Sequence, residues 1–216
     1  MNCHKLRGII EKQPLQSPIC LIICMKARLA FLATMCVVIV LNACGNIASL
    51  KATIPTSVDT LSLWALSGTP PSYPSAISIA ARQIVRVDGF AAFDIALDID
   101  ANGNTVVYPV KLVVASPGGS RAVGIMKTSG TFEQVLEAPQ SGFETDSSLV
   151  VAPGEVVAVQ APYNLSGDIC QFAISPNLYA KIAVDSVNVA MRVIYLKMGF
   201  DPNCGFRSFA DGIPTS

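Results

Sequence analysis

Histidine is almost missing from this 216-residue chain; its one copy is His4. That scarcity excludes Ser-His-Asp and Cys-His catalysis over nearly the whole length, because both need an imidazole base. It also removes the commonest zinc ligand. Charge is sparse as well, at 14% of residues, and no run of Lys or Arg appears. Without a basic cluster there is no footprint for phosphate, so nucleic acid is not an expected partner. The motifs Gly-x-Ser-x-Gly, Ser-x-x-Lys and Gly-x-x-x-x-Gly-Lys are absent, which removes the best-marked nucleophile and phosphate sites. No heptad, internal repeat or βαβ alternation is visible. No apolar run reaches the roughly 17–25 residues that a spanning helix needs.

The longest apolar run, Leu29–Leu41, has 13 residues. It follows Met25-Lys26-Ala27-Arg28 and ends in Leu41-Asn42-Ala43-Cys44-Gly45. A basic start, a short apolar core and a small residue before the cut are the parts of an export signal. With cysteine at the cut, the stretch resembles the lipobox of bacterial prolipoproteins. Leu41, Ala43 and Cys44 match that pattern, and Asn42 stands where a small or aliphatic residue is usual. The resemblance implies that Cys44 is acylated and becomes the first residue of the mature chain. It implies a cell-envelope location, held on a membrane by lipid. Gly45 rather than Asp after the cysteine implies the outer membrane in a cell that has one. Residues 1–24 precede a signal that is already complete, so Met25 is expected to be the true start.

Cleavage before Cys44 leaves 173 residues, enough for one domain with a real core. The mature part carries 10 basic and 14 acidic residues, net −4. Once Cys44 is acylated, only Cys170 and Cys204 remain as thiols. Export implies an oxidising compartment, so these two are expected to form a disulfide.

The expected organisation is a signal region over 1–43, a tether over 44–54 and one domain over 55–216. In that domain, short apolar stretches alternate with Gly, Pro and Asn turns. This pattern predicts an all-β antiparallel sandwich, immunoglobulin-like, with seven to ten strands. Leu61–Leu66, Leu149–Val151, Glu155–Gln160, Leu178–Val187 and Arg192–Gly199 read as strands. Ile77–Val87 reads as one broken strand or two short ones. The clearest element is the hairpin 90–115. There Phe93, Ile95, Leu97 and Ile99 face inward, and Asp94, Asp98 and Asp100 face outward. Asn102-Gly103 marks its turn, with positive φ expected at both central positions. Pro109 cannot donate to a ladder and suggests an edge or a bulge. Arg121–Lys127 and Thr131–Glu137 read as another pair, although the second also has the spacing of one helical turn. Asp168–Ser175 reads as a strand carrying Cys170.

Candidate sites are weak. Asp98-x-Asp100-x-Asn102-Gly103 has oxygen ligands in the order of a calcium loop, but Pro109 stands where the closing Glu belongs. An Asn-Gly hairpin explains the same residues, so no metal and no cofactor are expected. Trp64 reads as core, whereas Tyr73 and Tyr163, beside prolines, read as the exposed aromatics. Asp201–Arg207 reads as a disulfide-anchored turn, with Phe206 and Phe209 closing the end of the sandwich. The alternative there is a recognition loop with Arg207 at its rim. This tail resembles the C-terminal segment of uncharacterised exported bacterial lipoproteins, a likeness that implies no activity. The expectation is therefore an envelope lipoprotein that binds or assembles, with no catalytic residues. Its partners would be the membrane, through Cys44, and an envelope protein. The competing expectation is a carbohydrate-binding protein or a glycan-acting one that works with paired carboxylates.

Overall fold

The computed structural model describes residues 51–88, 92–114 and 121–215. All of them belong to one compact unit, Leu50–Ser216. The leader, Cys44 and Gly45 lie outside the described residues. Among those described, ten strands form two antiparallel sheets packed face to face. The fold is an all-β antiparallel sandwich.

The first sheet is built from the longest alternating stretches. It contains β1 (Ser57–Trp64), β6 (Gly124–Thr128), β8 (Val156–Pro162), β9 (Asn177–Asn188) and β10 (Val193–Asp201), in the order β1-β10-β9-β8-β6. The second contains β2 (Ala76–Ser78), β3 (Gln83–Val85), β4 (Ile95–Ile99), β5 (Thr105–Pro109) and β7 (Leu149–Val151), in the order β3-β2-β4-β5-β7. Strand side chains alternate between faces, so each strand supplies the core with every second residue. Leu178, Ala180, Ile182 and Val184 of β9 meet Ile95, Leu97 and Ile99 of β4 in one apolar cluster. The opposite face of β9 is covered too. Tyr179 and Ala183 lie in a second, smaller cluster with Phe132, Val135, Ala138, Val156 and Phe209.

The hairpin of β4 and β5 pairs Ile95 with Pro109 and Ile99 with Thr105. Its turn differs from the expected one: only Gly103 has positive φ, at 84°, and Asn102 does not. Gly103 N donates to Asp100 O, and Asp100 N donates to Asn104 O. This is a three-residue loop whose glycine takes the left-handed position. Pro109 ends an interior strand. Val110 N donates to Asp94 O on the β4 side, so position 109 faces the other neighbour, β7. The β7 register runs only to Val107, so the missing donor faces no strand.

Four expectations are corrected. The chain after Pro109 does not continue as a strand to Ala115; it enters one helical turn, α1 (Val110–Val113). Thr131–Glu137 does not pair with β6. It is a turn in which Val135 N donates to Thr131 O, and β6 pairs with β8 instead. Asp168–Ser175 forms turns rather than a strand, because the loop bonds to itself, as described below. Asp94 is not outward but fully buried. It lies just before β4, where strand alternation does not yet hold.

Candidate functional site

The disulfide Cys170–Cys204 is present, with Cα atoms 5.7 Å apart. It closes a sequence separation of 34, worth about 3–4 kcal/mol through the unfolded chain. Cys170 sits in the β8–β9 loop, and Cys204 in the tail after β10. Beside Cys204, Asn203 works as a clip. Its Oδ1 accepts Thr53 N at 2.9 Å and Ile54 N at 3.2 Å, while its Nδ2 donates to Ile54 O at 2.8 Å. Asn203 is itself held by buried Asp201, whose Oδ1 accepts both Asn203 N and Nδ2. Burial raises the Asp201 carboxyl above the usual carboxylate range. The expected tether therefore ends in a fixed contact, with residues 53 and 54 bonded to the domain. Arg207 is not free at a rim. It donates to Ala138 O at 2.8 Å and pairs with Glu137, tying the tail to the 131–138 turn. Phe209 is buried against that turn and Phe206 is half-buried.

The loop that the disulfide clamps, residues 163–176, is ordered by its own bonds. Leu165 N donates to Asp168 Oδ2, Gly167 N to Gln171 Oε1, and Ala173 N to Cys170 O. The tail touches it closely. Gly205 has φ +84°, and a Cβ there would lie 2.8 Å from Ser175 Cβ, so both the backbone angle and the space demand glycine. The loop presents Leu165, Ile169, Phe172 and Ile174 to solvent, beside exposed Asn164, Ser166 and Ser175. Phe172 is 90% exposed.

Inside the root of this loop lies a buried carboxylate. Asp94 Oδ2 accepts Tyr163 Oη at 2.5 Å and Ile79 N at 2.7 Å. Arg121 brings Nε to 3.6 Å from Asp94 Oδ1 and a second nitrogen to 3.5 Å from Asp168 Oδ1, while its guanidinium lies 4.2 Å over the Tyr163 ring. Burial pushes the Asp94 carboxyl up, against the pull of Tyr163, Ile79 N and Arg121. Burial, and then the Asp94 charge, push the Tyr163 phenol above its usual range. Tyr163 is thus buried, contrary to its expected exposure, and its hydroxyl also accepts Ala80 N. Asp94 and Asp168 bracket one arginine, but Asp94 has no solvent-accessible surface. A substrate cannot reach it. The group fastens the loop to β2 and β4.

A pocket of about 290 Å³ opens on the outer face of the first sheet. Lys181 of β9 lines it, only 3% exposed. Its Nζ donates to Val135 O at 2.9 Å and to Phe132 O, and lies 4.2 Å over the Phe132 ring. Burial lowers the Lys181 ammonium, opposed by the charges of Glu133 and Asp211. Its stem crosses Gly199 of β10, where a Cβ would come within 2.8 Å of Lys181 Cε. Glu133, Lys197 and Asp211 balance the charge at the pocket rim, and Val58, Leu136 and Phe209 are its apolar wall. No sequence motif marked Lys181. Its one signal is a lysine inside the otherwise apolar stretch Leu178–Val184.

The remaining candidates serve the fold. Asp98 accepts Ser67 N and Arg192. Asp100 accepts the amides of Asn102 and Asn104, which caps the hairpin turn. Among the described residues no group of three or more His, Cys, Asp or Glu comes together. Trp64 is half-buried rather than core and packs on exposed Tyr73 at 4.8 Å. The two rings are tilted by 47°, so they make no single flat face for a sugar ring. No helix among the described residues is long and apolar enough to cross a membrane. Compared with protein-family models, with curated proteins and with solved structures, the chain matches none.

Proposed function

We propose that this chain is a lipid-anchored bacterial envelope protein, acylated on Cys44, whose sandwich is a binding or structural module and not an enzyme. The observation that carries the reading is the Cys170–Cys204 bridge. Disulfides persist in oxidising compartments, which is where the Lys26–Cys44 signal would deliver the domain. The non-catalytic part draws on the acids. The carboxyls raised by burial, Asp94 and Asp201, are both sealed from solvent. Gly45 favours the outer membrane, by the same resemblance that assigns the lipid.

The test is intact mass together with crosslinking on the native envelope. The full-length chain should carry acyl mass on Cys44 and capture a specific envelope partner, and Cys44→Ala should lose both. A native chain found unacylated and free of the membrane fraction would sink the proposal.

A further inference from the structure

The apolar loop and the lipid tether leave the sandwich at the same end. β8 ends at Pro162 opposite Asn177, where β9 begins, so the loop 163–176 projects from there. β10 ends at Asp201 opposite Tyr179, and β1 begins at Ser57 opposite Phe200. The tether is clipped to Asn203, and the next residue, Cys204, is crosslinked into the loop. Ile54, beside the clip, is exposed as well. Nine residue steps separate Cys44 from Thr53, so the chain spans at most about 30 Å between them.

We propose that the loop 163–176 is a membrane-docking wedge, which seats Phe172, Ile174, Ile169 and Leu165 in the surface of the bilayer that holds the acyl chains. This rests on the lipid-anchor reading and adds an orientation to it: the disulfide end of the sandwich lies on the lipid, and the β9–β10 turn points away.

The chemistry of the loop fits a lipid interface. Four large apolar side chains stand exposed within one short loop, more than scattered surface residues require. Its one charged residue, Asp168, is turned inward to Leu165 N and Arg121, so no outward charge opposes insertion. Lys51, exposed on the tether side, is the one charged residue between Cys44 and the clip, and a cation there suits anionic head groups. The disulfide pins the middle of the loop, at Cys170, to the tail, so little ordering is left to occur on docking. Side chains of this kind enter roughly 5–10 Å into the boundary between head groups and acyl chains.

The test uses the mature acylated protein in vesicles of phosphatidylethanolamine and phosphatidylglycerol, with Trp64→Phe as background. Phe172→Trp places a fluorophore on the loop. Met191→Trp places one in the β9–β10 turn, roughly 36 Å away along β9. Brominated acyl chains should quench the Phe172→Trp variant about twofold and leave the Met191→Trp variant unchanged. Equal, weak quenching in both, with acylation verified by intact mass, would overturn the wedge and leave the anchor standing. Missing acyl mass would instead remove the anchor reading, and the wedge with it. If the variants fold poorly, hydrogen exchange on the unmutated chain decides. Amides of 163–176 should slow about fivefold on vesicles relative to the unacylated Cys44→Ala chain. Unchanged exchange, or protection traced to a crosslinked protein, would overturn the proposal.

Discussion

Asp94 and Lys181 are buried charges of opposite sign in one sandwich, and the protein accommodates them differently. Asp94 sits inside the loop end, and its carboxylate is held from three places far apart in sequence: Ile79, Arg121 and Tyr163. Lys181 sits on the outer face and is held by two carbonyls of one turn, Phe132 and Val135. The carboxylate draws on a phenol and a guanidinium, each of which would lose a buried partner without it. The ammonium draws on neutral carbonyls beside an open pocket, where water can replace it. Burial disfavours the charged form in both cases. The difference teaches that the cost of losing a buried charge depends on what its partners can do next.

Removing each group breaks or sharpens this comparison. Asp94→Ala should cost the most, about 3–5 kcal/mol, because Arg121 and the Tyr163 hydroxyl would lose their buried partner. Urea unfolding measures it; a loss under 1 kcal/mol would mean that the Asp94 knot is not a support of the fold. Replacing Cys170 and Cys204 together by Ser attacks the same end from outside. It should lower stability by about 3–4 kcal/mol, and limited proteolysis should then cut first within 163–176. Lys181→Met should cost only about 1 kcal/mol, since the methionine stem keeps its packing and pocket water can reach the two carbonyls. If this variant is as damaged as Asp94→Ala, the contrast between the two regions fails.

The smallest effect is on pH dependence. The carboxyls of Asp94 and Asp201 are raised above the ordinary value of 3.8. The folded chain therefore holds their protons more tightly than the unfolded one. Their contribution is fullest below 3.8 and is lost as pH rises through the folded values. Lys181 is lowered from 10.5, so its contribution is present above 10.5 and is lost as pH falls through the folded value. Asp94→Asn should flatten part of the acid limb and leave the Asp201 part. Lys181→Met should flatten the alkaline limb. Unfolding titrations across pH would show this, and an unchanged alkaline limb in Lys181→Met would contradict the burial of that amine.

How well each region could be read from sequence follows the range of its interactions. Ile95, Leu97 and Ile99 announce their strand because alternation is local and the core takes one face. The turn at Gly103 announces itself for the same reason, although its three-residue form depends on how Asp100 and Asn104 pair. Thr131–Glu137 carries both strand and helical spacing, and only the tail bonded across it, with Phe209 N on Leu136 O, shows which one the chain uses. Ile169, Phe172 and Ile174 have strand-forming side chains. They miss both sheets because Gly167, Asp168 and Cys170 are engaged in turns and a crosslink. Tyr163 and Asp94 stand 69 residues apart, so no local pattern joins them.

The sequence by itself determined an all-β chain, because period-two apolar spacing broken by Gly, Pro and Asn suits only pleated strands packed in layers. It also pointed to the disulfide, since Cys170 and Cys204 are the two cysteines after residue 44 and only one pairing between them exists. Tertiary structure alone decided that Asp94, Tyr163 and Arg121 share one buried site, that Lys181 is held beneath a turn at the edge of a pocket, and that residues 53 and 54 and the apolar loop lie at the same end of the sandwich. Those arrangements arise where segments distant along the chain meet, and the free energy that fixes them comes from desolvation and pairing at the meeting point.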